Sequence, residues 1–170
     1  MYLAADFRVK RMLTIRQAQQ TDQWLIRSLI YTELLNPVDL NWRRFLVAEV
    51  DGVRAGIIQV RQHEDGSREL ASLVVKHMFR GHGVGAALIQ TLLNRELGPL
   101  YLMCRSQLAS YYSRFGFQAL SEPDMPLHFR RMARLARSVE PLTRLIGEGN
   151  GLTIMRHPCT SAATQPNQPE

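Results

Sequence analysis

Between the apolar run Leu70-Ala71-Ser72-Leu73-Val74-Val75 and the segment Ala87-Leu88-Ile89-Gln90 lies Arg80-Gly81-His82-Gly83-Val84-Gly85-Ala86. The order is strand, glycine-dense turn, helix, which places the turn at a helix N-terminus. The first backbone N–H groups of a helix have no intrahelical partner, and the helix dipole adds partial positive charge there. Glycines let a ligand approach the main chain, and Arg80 adds a permanent cation. The chemistry this favours is the binding of a pyrophosphate.

Spacing narrows the kind of cradle. A P-loop closes on Gly-Lys-Ser/Thr, whereas this turn runs into Gly85-Ala86-Ala87. Gly81-x-Gly83-x-x-Ala86 fits the permissive dinucleotide fingerprint. That reading also wants an acidic residue about 20 positions on, at the end of the next strand. The next strand, Leu100–Cys104, ends in Arg105-Ser106 instead.

The elements that position this turn are legible from periodicity. Strand Met12–Gln17 precedes a helix capped at Thr21-Asp22, with Trp24, Leu25, Leu29 and Ile30 at helical spacing. Asn36-Pro37 breaks the pattern, and a short helix is expected at Asp39–Arg43. Phe45–Val50, the Asp51-Gly52 turn and Val53–Gln62 form a hairpin, and His63–Ser67 turns into strand Arg68–Lys76. Helix Gly83–Glu96 stops at Gly98-Pro99. Strand Leu100–Cys104, helix Gln107–Phe115 and strand Phe117–Leu120 follow, with a final strand at Gly151–Arg156.

Composition places these elements in one domain, residues 11–158, with loose ends at 1–10 and 159–170. A chain of 170 residues, 45% hydrophobic and 21% charged, is long enough for one core. The apolar runs are shorter than a membrane span, and the first residues lack a secretory h-region, so a cytoplasmic location is expected. Cys104 and Cys159 are too few for a disulfide framework, and the five histidines show no ligand spacing, so no metal is expected. Net charge +6 permits contact with anions, but no nucleic-acid-reading motif accompanies it.

Arg80-Gly81-x-Gly83-x-Gly85-Ala86 resembles the acetyl-CoA motif of the GNAT superfamily of N-acetyltransferases, Arg/Gln-x-x-Gly-x-Gly/Ala. Ile15-Arg16-Gln17-Ala18 with Asp22, Glu69-Leu70-x-x-Leu73-x-Val75, and Tyr112-x-x-x-Gly116-Phe117 resemble further family segments in the right order. The resemblance spans roughly residues 12 to 120. It implies an α/β (α+β) fold with a mixed, mostly antiparallel sheet of about seven strands flanked by helices. It implies acetyl-CoA as cosubstrate and transfer of acetyl to a primary amine by direct attack in a ternary complex. Arg80, Gly81, His82, Gly83, Val84, Gly85 and Ala86 would hold the pyrophosphate. The backbones of Leu73, Val74 and Val75, on a bulged strand that splays from its neighbour, would pair with the pantetheine arm. Glu69 would act as base and Tyr112 would assist the departing thiolate. A base is needed, because an alkyl ammonium near pKa ~10.4 or an α-amine near ~8 is protonated at neutral pH. A phenol can assist a departing thiolate whose thiol has a pKa of about 8.5. The alternative from another class is a non-catalytic acyl-CoA-binding module on the same fold.

The segment after Pro126 departs from the family's spacing. His128–Ile146 reads as an inserted helix, with Met132, Leu135, Val139 and Leu142 on one face and Arg130, Arg134 and Arg137 on another. Pro141 should kink it. Two readings stand: a docked helix with a solvated basic face, or a wall where Arg130 and Arg134 select acidic acceptors. The expected acceptor is an amine on a small molecule or peptide, acidic on the second reading, and the expected assembly is a monomer or homodimer. Arg105 replaces an asparagine that many relatives carry, and Cys104 reads as a small buried hydrophobe rather than an acyl-accepting nucleophile.

Overall fold

The hairpin signal at Asp51-Gly52 produces the centre of the fold. In the computed structural model, which describes residues 11–145 and 151–158, β2 (Phe45–Val50) and β3 (Val53–Gln62) pair with Val50 opposite Val53. Asp51 and Gly52 both take positive φ, 51° and 76°, as a two-residue type I′ turn requires. Among the described residues, seven strands form one sheet in the order β1-β2-β3-β4-β5-β7-β6. The remaining strands are β1 (Leu13–Gln17), β4 (Arg68–Val75), β5 (Leu100–Arg105), β6 (Gln118–Ala119) and β7 (Leu152–His157). Only β4 and β5 run parallel, so the expected mixed, mostly antiparallel sheet is what forms. The expected ends at 1–10 and 159–170, with Cys159 and Ile146, lie outside the described residues, and so do the side chains of Val139 and Leu142.

Both faces of the sheet are covered, which explains the continuous apolar run of β2. Leu46, Ala48, Val50 and Ile58 pack with Val84, Leu88, Ile89 and Leu92 of α2 (Val84–Arg95). Phe45, Val47 and Ile57 point the other way, onto Leu25, Ile26 and Ile30 of α1 (Gln23–Thr32). Trp24, placed with that apolar set from spacing, is 79% exposed, because the docking face runs through its neighbours Leu25 and Ile26. α3 is shorter than expected: a 3-10 turn at Ser106–Leu108 leads into Ala109–Ser113. The helix expected at Asp39–Arg43 is a 3-10 turn at Trp42–Arg44. The inserted helix α4 runs unbroken from Leu127 to Leu145, Pro141 included. Among the described residues no helix is long and apolar enough to cross a membrane.

The start of α1 is fixed by charge. Asp22 is fully buried and receives Arg16 Nη1 at 2.7 Å, Arg54 Nε at 2.8 Å and the Gln19 amide at 2.8 Å. Burial opposes ionisation of this carboxyl, but the Arg16 and Gln19 hydrogen bonds with the Arg54 charge outweigh it and hold the group below its usual value. Asp22→Asn is expected to cost about 2–3 kcal/mol in chemical denaturation. That is below the ~3–5 of a wholly buried pair, because both arginines reach water. A depressed carboxyl stabilises above its unfolded value near ~3.9 and loses that contribution as pH falls through the native one. The Asn variant should therefore approach wild type in acid, and an equal deficit at every pH would contradict this account.

Candidate active site

The glycine turn sits where the sequence puts it. Gly83 caps α2 in the left-handed region, φ 79°, and the first helical bond runs from the Ala87 amide to the Gly83 carbonyl. The preceding amides are the unpaired donors of a helix start. A Cβ on Gly81 or Gly83 would meet nothing within 4 Å, so both glycines border open space. Gly85 is different: its Cβ would come 3.1 Å from the Tyr111 hydroxyl. Arg80 is braced rather than loose, with Nε on the Val75 carbonyl at 2.9 Å and Nη2 on Glu33 at 2.5 Å. His82 Nδ1 lies 2.8 Å from the Arg80 carbonyl.

Upstream of the turn, β4 carries the bulge. Ile57 pairs with Val74 and Gln59 with Ala71, leaving one extra residue on β4. Ser72 absorbs it at φ 56°, and its hydroxyl accepts from Gln59 Nε2 at 2.9 Å. Gly56 permits the close strand approach, since a Cβ there would fall 2.7 Å from the Val74 carbonyl oxygen. On its other edge β4 pairs with β5 only at Glu69 and Tyr101, and beyond that point the two strands part. A cleft of about 390 Å³ opens in the gap.

This cleft gathers both predicted catalytic side chains, whereas Val74, Val75 and the Arg80–Ala86 turn are not among its lining residues. Glu69, Leu73 and Tyr112 all line it, together with Cys104, Arg105 and Asn36. Tyr112 packs with Leu102 and Cys104 on the α2 side of the sheet, whereas the next residues along β5, Tyr101 and Met103, pack on the α4 side with Phe129. Burial pushes the Tyr112 phenol up to about 12, helped by its neighbours Cys104 and Tyr111. Burial likewise raises the Cys104 thiol, which disfavours the thiolate a nucleophile needs. Glu69 is 5% exposed, and burial raises its carboxyl above the usual value, with Arg61 and His128 pulling the other way.

Three neighbours of Glu69 are absent from the sequence reading. Arg61 Nη1 lies 3.6 Å from Glu69 Oε2 and His63 Nε2 lies 2.9 Å from the same oxygen. His128, from the first turn of α4, stacks on His63 with ring centroids 3.5 Å apart and planes 13° from parallel. Donor atoms of His63, Glu69 and His128 fall within 4.8 Å of one another. They do not fit one metal ion. An imidazole binds a metal in its ring plane, and two stacked, nearly parallel rings share no nearby point in both planes. Arg61 adds a cation beside the only carboxylate.

Arg130 and Arg134 are not brought to the cleft. Arg130 Nη2 donates to the carbonyls of Pro123 and Met125 at 2.9 and 3.0 Å. Arg134 pairs with Glu122 at 2.6 Å, and Arg137 pairs with the same carboxylate. The helix docks through Phe129, fully buried against Met125, Ile154 and Tyr101, while Leu135 of the expected apolar stripe is 59% exposed.

Comparison with known proteins agrees with this architecture. Residues 41–119 match the family described as acetyltransferase (GNAT) domain. No curated protein matches the chain. The fold is similar to N-acetylglutamate synthase from Neisseria gonorrhoeae, solved with coenzyme A and N-acetyl-glutamate, at 20% identity and TM-score 0.66. The match covers 88% of this chain and 36% of that one, so the chain spans little more than a third of the synthase. A Mycobacterium tuberculosis protein solved with CoA matches at 20% identity and TM-score 0.62, over 85% of this chain and 98% of that one. The ribosomal-protein-S18-alanine N-acetyltransferase from Escherichia coli matches at 17% identity and TM-score 0.58, over 89% and 97%. At these identities the structures speak for the fold, and over residues 41–119 the chain is similar to the GNAT acetyltransferase domain family.

Proposed function

We propose that this protein transfers an acetyl group from acetyl-CoA to a primary amine by direct attack in a ternary complex. The observation that carries the reading is the gap between β4 and β5, where Glu69 and Tyr112 line one cleft beside the strand that leads into the glycine turn. The amides at the start of α2 and the open faces of Gly81 and Gly83 suit a pyrophosphate. The edge of β4 that faces β5 makes no strand pairing with it over Leu73–Val75 and suits an extended amide chain laid as an added strand. An N–H on that edge can stabilise charge developing on the thioester oxygen.

Glu69 takes a proton from the attacking amine, directly or through one water. Its raised carboxyl makes it a stronger base than an ordinary glutamate. Tyr112 remains protonated at working pH, since its phenol is held near 12. Its service is a hydrogen bond to the departing sulfur, whose thiol is the stronger acid at about 8.5. The acceptor is an amine on a small molecule or peptide.

Thiol release from acetyl-CoA, screened against amino acids, polyamines and peptides with free N-termini, tests the reading. Turnover with at least one amine class is expected. Acetyl-CoA binding without turnover on any of them would favour the non-catalytic module instead.

A further inference from the structure

The base carboxylate has a second side. Glu69 lines the cleft between β4 and β5, while His63, Asp65 and His128 line a separate cavity of about 650 Å³ behind it. Arg61 borders both. The contact that joins the two sides is the 2.9 Å hydrogen bond between His63 Nε2 and Glu69 Oε2.

We propose that His63, clamped by His128 of the inserted helix α4, is a positioning residue that aims the Glu69 carboxylate at the acceptor amine. This rests on Glu69 being the base. With Glu69 ionised, the ring nitrogen facing it must carry the proton, so His63 donates to Oε2 and the other carboxylate oxygen is left for the cleft. Aiming matters because a misplacement of about 1 Å can cost on the order of 10²-fold in rate.

The ring of His63 is held by three arrangements. His128 stacks flat on one face, and Phe129 meets it edge-on at 5.5 Å between centroids. The Asp65 carboxylate accepts the backbone N–H of His128 at 2.7 Å, which ties the start of α4 to the β3–β4 turn. Burial would raise Asp65, but the Ser67 hydroxyl and the amides of His128 and Ser67 hold it down to about 2, so this tie persists at any working pH. Burial lowers both imidazoles from their usual value, with the Arg61 charge adding to it, which favours the neutral form of the stacked rings. The titratable or charged groups around Glu69 are thus Arg61 and His63 from β3 and its end, His128 from α4 and Tyr101 beside it on β5, with Cys104, Arg105 and Tyr112 across the cleft. On this account α4 acts on the reaction through His128, not through its arginine face.

The test uses the full chain and an acceptor found by thiol release. His63→Phe keeps an aromatic ring for the stack and removes the donor, and His63→Gln restores a donor. His63→Phe should lower kcat about 10- to 100-fold, the range for a lost hydrogen bond to a charged group. Loss of a donor to a carboxylate raises its pKa, so the acid limb of kcat/KM should also move to higher pH. His63→Gln should recover much of the rate and return the limb towards its wild-type position. His128→Ala should fall between, and acetyl-CoA affinity by calorimetry should stay within about twofold, which also reports folding. Wild-type kinetics for His63→Phe, with Glu69→Gln impaired, would overturn the proposal and leave Glu69 as base. Equal loss in His63→Phe and His63→Gln with an unmoved acid limb would reduce His63 to packing and overturn it too. Wild-type kinetics for Glu69→Gln would instead remove the base itself.

Discussion

Gly83→Val is expected to weaken acetyl-CoA binding by about 30-fold or more, a loss of ~2 kcal/mol or greater. Two costs add at this position. Gly83 caps α2 at φ 79°, a region β-branched residues rarely adopt, and the side chain would project into the open space beside the helix start. Strain alone could mimic a binding defect by loosening the turn, so a control is needed. Gly98 has φ 90° and equally open surroundings, but it follows α2 at the far end of that helix. Gly98→Val should lose stability comparably, roughly 1–3 kcal/mol for a strained residue, and bind acetyl-CoA as wild type. Calorimetry on both variants separates the cases. Equal affinities for Gly83→Val and Gly98→Val would mean the turn is not the pyrophosphate site.

The contrast between these glycines bears on how much a sequence of this kind discloses. Turn chemistry is local, so Asp51-Gly52 and the run from Gly81 to Ala86 announce themselves without tertiary context. The β2–β3 hairpin accordingly forms with the expected ends. α2 differs from expectation by one residue at each end. The bulge in β4 has no side-chain signature of its own, since Leu73, Val74 and Val75 suit a plain buried strand equally well. Its trace lies on the neighbouring strand: Gly56 interrupts an apolar run, a sign of close backbone approach that was available to be read.

The surroundings of Glu69 were hidden for a different reason. Arg61 and His63 sit at the end of a strand and the start of a turn, and His128 arrives from an inserted helix much later in the chain. Nothing in their spacing joins them until β3, β4 and α4 come together. The arginine face of α4 shows the converse, a pattern visible in sequence whose two readings spacing cannot separate. Its helical periodicity is real, but periodicity does not reveal partners. Glu122, in the turn just before the helix, takes Arg134 and Arg137, and main-chain carbonyls take Arg130. A charge pattern visible in sequence was thus spent on holding the helix start, while the residue that reaches the site, His128, looked like an isolated histidine.

Glu69→Gln is expected to lower turnover about 10²- to 10³-fold near neutral pH, within the range for removal of a general base. The deficit should shrink as pH rises, because the acceptor amine then sheds its proton to water. For an α-amine, near ~8, the curves should converge about two units sooner than for a lysine-like amine near ~10.4. Acetyl-CoA affinity should hardly change, since Glu69 lies on the β4 segment before the bulge and the glycine turn follows it. Folding supplies an independent readout. A carboxyl raised in the native state binds its proton more tightly when folded, so its ionisation costs stability. Wild type should therefore lose stability as pH climbs from the unfolded value near ~4.3 through the native one, and Glu69→Gln should lack that slope. Urea titrations across this range check the burial, and pH–rate profiles check the chemistry. If the slope disappears while turnover matches wild type at every pH, Glu69 is a buried carboxyl with no part in proton transfer, and the base must be sought among the other groups that line the cleft.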